Sequence, residues 1–135
     1  MAEGLMKRLY GQRIYVQSAG VANDREIDGF AIAVCKEIGV ELARHRSRSF
    51  AEMQHLGESL DGFDLIVALS PRSQHEALAR TRHAHTAVEF WPIIDPTAIG
   101  ESREARLAAY RQARDQIRAR LLARFGPPPE AGAPA

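Results

Sequence analysis

Cysteine is almost missing from this sequence: of 135 residues only Cys35 carries a thiol. One cysteine excludes an intramolecular disulfide, a CxxC redox pair and a cysteine-rich zinc site. Long apolar runs are missing too. Stretches such as Ala31–Cys35 and Leu65–Leu69 fall far short of the roughly 20 residues that span a bilayer. Residues 1–8 hold no signal-peptide core, so a cytoplasmic protein with no membrane partner is expected. Charge of one sign is also scarce. Eighteen Lys+Arg against 17 Asp+Glu leave a net charge of +1, which argues against nucleic acid or another long polyanion as partner. What is present is 45% hydrophobic and 26% charged residues, the composition of one soluble globular domain rather than a disordered chain. No internal repeat and no linker interrupts it.

Local patterns predict alternating helices and strands. Residues 2–10 read as a short helix, with Leu5, Met6 and Leu9 on one face and Gly11 as its stop. Ile14–Gln17 is β-branched and aromatic and closes on Ser18-Ala19-Gly20, so it reads as a strand entering a loop. Ile27, Phe30, Ala31, Val34 and Ile38 keep helical spacing, with Asp24 or Asn23 as cap and Gly39 as stop. Ser49 and Glu52 form a capping-box pattern for a third helix. Asp64–Leu69 is apolar without alternation and predicts a strand buried on both faces of a parallel sheet. Ser70-Pro71 then caps a helix to about Arg80. Ala87–Trp91 is another short strand, and Ile93–Thr97 is a loop because Pro96 pushes Asp95 into an extended conformation. A long helix from Ser102 to Phe125 aligns Leu107, Tyr110, Ala113, Ile117 and Leu121. The Pro/Ala/Gly-rich residues 126–135 are expected to be a disordered tail.

This is an α/β pattern with a mainly parallel sheet, but its first helix has no strand before it. In α/β domains the turn from strand to helix is where phosphates bind. Here the helix stands without that turn.

Four short motifs occur in one order: Met1-Ala2-Glu3-Gly4-Leu5 opening a helix, Ser18-Ala19-Gly20, His45-Arg46-Ser47-Arg48, and Asp95-Pro96 after the last strand. In order and spacing they resemble the low-molecular-weight protein tyrosine phosphatases, whose fold also hosts the thioredoxin-coupled arsenate reductases. The resemblance covers residues 1–125 and implies a flavodoxin-like, three-layer α/β/α domain. It implies hydrolysis of phosphomonoesters, typically phosphotyrosine, through a phosphocysteine intermediate, with no metal or cofactor. The expected partners are therefore a phosphorylated protein or a small phosphomonoester.

The family's nucleophile lies in a Cys-x5-Arg-Ser/Thr loop that continues Pro-Met-Ala-Glu. Met1 falls where that internal Met stands, so the loop and the strand before it are expected to lie outside these residues. Codons for Cys-x5-Arg-Ser-Pro in frame ahead of Met1 would indicate a shortened active enzyme. Their absence would favour a non-catalytic binding or regulatory module of the same fold. In the family's sheet the missing strand is an inner one, which would leave strand edges open to a second copy of the chain and make the fold marginal. Cys35 does not replace the nucleophile: Glu41, not arginine, stands six residues on, and Cys35 sits on an apolar helical stripe. A buried free cysteine is the expectation.

By resemblance Asp95 is the general acid. Ser18 supports the phosphate loop, Trp91 is a candidate pocket wall or core residue, and Arg46 lies at the active-site rim. Thr97-Ala98 after Asp95-Pro96 replace the aromatics of phosphotyrosine-specific members. Arsenate reduction needs further cysteines, so a phosphatase is favoured over a reductase. His83 and His85 lack partners at ligand spacing, and the seven arginines from Arg103 to Arg124 read as a solvated helix face.

Overall fold

The computed structural model describes residues 1–11, 13–20, 28–42, 48–82 and 85–128. They fall into two compact units.

The first unit holds residues up to 18, 28–42 and 94–128. Its helices are α1 (Ala2–Tyr10), α2 (Gly29–Lys36) and α5 (Arg103–Phe125), and α5 packs against both of the others. The α1 face buries Leu5, Met6 and Tyr10, so Tyr10 takes the position expected of Leu9, which is half-buried. The Tyr10 hydroxyl donates to Gly126 O at 2.6 Å and Leu121 O at 3.3 Å, joining the end of α1 to the end of α5.

The cap of α2 is Asp28, whose Oδ1 accepts from Phe30 N at 2.8 Å. It replaces the expected Asn23 or Asp24, which lie outside the described residues. Asp28 wins locally because its side chain is one residue from the first helical amide. The last turn of α2 leaves four carbonyls without helical partners. Those of Ala33, Cys35 and Lys36 accept amides of residues 37–40. The remaining one, Val34 O, accepts from Arg114 Nη1 of α5 at 2.8 Å. Gly39, at φ +79°, makes the left-handed turn that ends the element. The α5 stripe buries Tyr110, Ala113, Ile117 and Leu121 as expected, together with Ala109 and Arg114, while Leu107 is half-buried.

Residues 14–17 form no strand. The β-branched and aromatic residues there have strand propensity, but propensity becomes a strand only where a ladder partner meets it.

The second unit holds α3 (Phe50–His55), β1 (Leu65–Ala68), α4 (Pro71–Arg80) and β2 (Ala87–Phe90). Both predicted caps form. Ser49 Oγ accepts from Glu52 N at 3.1 Å, and Ser70 accepts from Ser73 N at 3.2 Å in a capping box with Pro71 at the first helical turn. β1 and β2 pair in parallel, Leu65 against Ala87 through Ala68 against Phe90, with α4 as the crossover. Among the described residues the sheet has two strands. β1 is not buried on both faces, which would need cover on each side of the sheet: Leu65, Ile66 and Val67 are half-buried and only Ala68 is fully covered. A single parallel bridge joins Gly20 to Ser49. No described helix is long and apolar enough to cross a membrane. Residues 129–135 of the expected tail lie outside the described residues.

Candidate active site

Asp95 sits where the chain turns from irregular backbone into a 3-10 turn, Pro96–Ala98. The turn forms because Pro96 supplies a fixed φ near −65° and no amide that needs a partner. Asp95 caps it: Oδ1 accepts from Thr97 N at 3.0 Å and from Thr97 Oγ1 at 2.6 Å. Those two bonds stabilise the ionised form and hold the carboxyl below its usual range, with slight burial working against them. The side chain is exposed. Its Oδ2 has no hydrogen-bond partner among the described residues.

The loop is anchored to α5 on both sides of the turn. Before it, Ile94 N donates to Gln116 Oε1 at 3.0 Å. After it, Arg106 Nε donates to Gly100 O at 3.3 Å. Gly100 has φ +92°, and a Cβ there would stand 2.9 Å from the backbone of Ala105 and Arg106. Only glycine allows this approach.

A second polar group of the same unit was not read from the sequence. Tyr110 is buried, its ring stacks on Phe30 at 5.5 Å between centroids, and its hydroxyl donates to Asp28 Oδ2. Burial and the Asp28 carboxylate push the phenol up to about 12; Asp95 adds to the push and Arg106 opposes it. Asp95, Asp28, Tyr110 and Arg106 thus share one electrostatic neighbourhood. The stripe that contains Tyr110 was legible, but its partner 82 residues away was not.

The other expected residues are more scattered. Ser18 is half-buried in irregular chain of the first unit. Trp91 belongs to the second unit, where it is 5% exposed; its amide donates to Ala68 O at 2.9 Å and its ring nitrogen to Glu89 Oε1 at 3.2 Å. These are the contacts of a core tryptophan. Arg46 and His83 lie outside the described residues. Arg48 stands 3.6 Å from Glu58 Oε2.

Cys35 is 0% exposed within α2. Burial pushes its thiol up, against an opposing pull that includes Arg114. A thiol, not a thiolate, is the result, so Cys35 is no nucleophile at neutral pH. Among the described residues no cluster of three His, Cys, Asp or Glu could hold a metal ion.

The sequence profile of the family described as "Low molecular weight phosphotyrosine protein phosphatase" matches residues 1–124. The chain belongs to that family. Members of this phosphatase family and their relatives agree with the fold. An arsenate reductase of Halalkalibacterium halodurans is 27% identical over 121 residues, which cover 90% of this chain and 81% of that protein. A solved arsenate reductase in the reduced state superposes with a TM-score of 0.69 at 23% identity, over 92% of this chain and 84% of that one. Vibrio vulnificus Wzb, solved with benzylphosphonate, gives a TM-score of 0.63 at 22% identity, over 87% and 84%. At these identities the two structures speak for the shared α/β fold alone.

Proposed function

We propose that residues 1–125 are a phosphatase domain for phosphorylated proteins or small phosphomonoesters, in which Asp95 is the acid–base group. The observation that carries this reading is the Asp95 turn: an exposed carboxylate, fixed through one oxygen, on a loop anchored at both ends in a chain of the phosphatase family. In the family's reaction such a group, in its acid form, gives its proton to the leaving oxygen as a cysteine thiolate bonds to phosphorus and the P–O bond breaks; as carboxylate it then draws a proton from the water that attacks phosphorus and releases the thiolate. The reaction calls for no metal and no cofactor. Ser18 is assigned to the support of the phosphate loop by its match to the family's order, and a cytoplasmic setting suits such substrates.

The phosphocysteine step is a different matter. The buried, protonated Cys35 cannot attack phosphorus, and the sequence given contains no Cys-x5-Arg. Residues 1–135 thus supply the acid–base part of such a site, and a non-catalytic binding or regulatory module of the same fold is the alternative reading. A second reading, arsenate reduction, is favoured by the names of the curated relatives. The single cysteine weighs against it, because resolving an arsenic adduct needs more than one thiol.

An assay with p-nitrophenyl phosphate tests both halves. No turnover above the uncatalysed rate is expected from residues 1–135, with or without Cys35→Ser. Hydrolysis by the unaltered chain would overturn the inactive reading, and its loss on Cys35→Ser would make Cys35 the nucleophile after all. Millimolar p-nitrophenyl phosphate is expected to shift the amide signals of Asp95 and of residues 97–100. An unchanged amide spectrum would overturn the substrate assignment.

A further inference from the structure

We propose that Thr97 is the positioning residue of Asp95, fixing which carboxylate oxygen is left to exchange a proton. The inference rests on Asp95 being the acid–base group and adds to it a residue that decides how that group works. Thr97 spends both its donors on the same oxygen, the hydroxyl at 2.6 Å and the amide at 3.0 Å from Oδ1. A carboxylate free to rotate would offer either oxygen. Here rotation would break two bonds at once, so Oδ1 is committed and Oδ2 is the exchanging atom.

The turn cannot easily relax away from this arrangement. Pro96 fixes the backbone between the two residues, the Ile94 amide is bonded to Gln116, and Gly100 is held against the first turn of α5 by Arg106. Threonine also suits the position physically: its branched side chain has few rotamers, and a turn that already uses the amide needs only the hydroxyl to complete the pair.

The chemical consequence is directional. Two donors on one oxygen favour the carboxylate over the acid, so in the free protein Asp95 rests as a base. A bound phosphate dianion acts in the opposite sense, because a second negative charge nearby favours the neutral acid. Protonation of Oδ2 is thereby coupled to the arrival of substrate. The proton then passes from Oδ2 to the leaving oxygen: the Oδ2–H bond breaks, a new O–H bond forms, and the electron pair stays on the carboxylate.

The test is the titration of the Asp95 carboxyl carbon, followed by NMR in the full chain and in Thr97→Val, Thr97→Ala and Thr97→Ser. The Val and Ala forms are expected to raise the midpoint by roughly half a unit to one unit, a three- to tenfold gain in proton affinity for a lost bond to the charged form. The Ser form, which keeps a hydroxyl, is expected to titrate as the original. An unmoved midpoint in the Ala form overturns the proposal even if the Val form fails to fold. A Ser form that titrates like the Ala form also overturns it, since the methyl group and not the hydroxyl would then be responsible. The titration needs no turnover, so an Asp95 that proves idle in hydrolysis leaves this result readable, and the reverse holds as well.

Discussion

The two units are held by different kinds of contact. In the first, local caps are joined by several polar bonds between residues far apart in sequence. Arg114 reaches Val34 O across 80 residues, Tyr110 reaches Asp28 across 82, and Tyr10 reaches Gly126 O across 116. In the second, many of them are local: Ser49 with Glu52, Ser70 with Ser73, and Arg80 with Glu76 at 2.8 Å. Its order over distance comes mainly from the parallel pairing of β1 and β2, helped by Arg80 Nη1 on Gln54 at 3.0 Å. The first unit is thus specified by tertiary packing, the second largely by caps and turns. Long-range bonds depend on every element arriving, whereas a cap depends on three residues.

That contrast can be broken by mutation. The largest effect is expected from Leu5→Ala, because Leu5 is 1% exposed and a buried leucine truncated to alanine costs about 2–5 kcal/mol. Urea unfolding would measure it, and a loss below about 1 kcal/mol would show that α1 is not well packed. Next comes Arg114→Met, which keeps most of the apolar stem but leaves Val34 O without its donor. An orphaned buried carbonyl costs about 1–3 kcal/mol, and faster amide exchange at the C-terminal end of α2 is expected with it. Ser70→Ala removes the oxygen that accepts from Ser73 N, while Ser70 N keeps its bond to Ser73 Oγ, and should cost about 1 kcal/mol, seen as faster exchange confined to the first turn of α4.

The smallest change at neutral pH belongs to Tyr110→Phe, and its signature is alkaline. The phenol is raised to about 12 in the fold from an ordinary 10. A group raised on folding stabilises fully below its unfolded value and loses that contribution as pH climbs through the folded one. Stability should therefore fall between about pH 10 and 12 in the original chain, and Tyr110→Phe should flatten that part of the profile. An unchanged slope would remove Tyr110 from its cause.

The same contrast explains what could be read from the sequence. Ser70-Pro71 and Ser49-x-x-Glu52 announce their helices because the atoms that make the cap lie within four residues. The stripe of α5 was legible since periodicity is local as well. The strand expected at residues 14–17 and the double-sided burial of residues 65–68 failed because the first depends on a ladder partner and the second on cover over both faces of the sheet, and a local pattern contains neither. The Asp95-Pro96 turn was visible, and so was its place in the family's order. The commitment of Oδ1 to Thr97, and the Tyr110–Asp28 bond close by, were not, because they depend on rotamers and on residues 82 apart.

The clasp between Tyr10 and Gly126 has a consequence for how the protein is made. Its two ends are among the first and the last described residues to leave the ribosome, since chains grow from the amino terminus. α1 and α2 therefore emerge and wait, their apolar faces uncovered, while the whole β1–α4–β2 segment is translated between them and α5. At a synthesis rate of about 5–20 residues per second, that exposure lasts for seconds. The first unit is thus the part of the chain in which slowed translation or a helper protein that shields apolar helices should matter most.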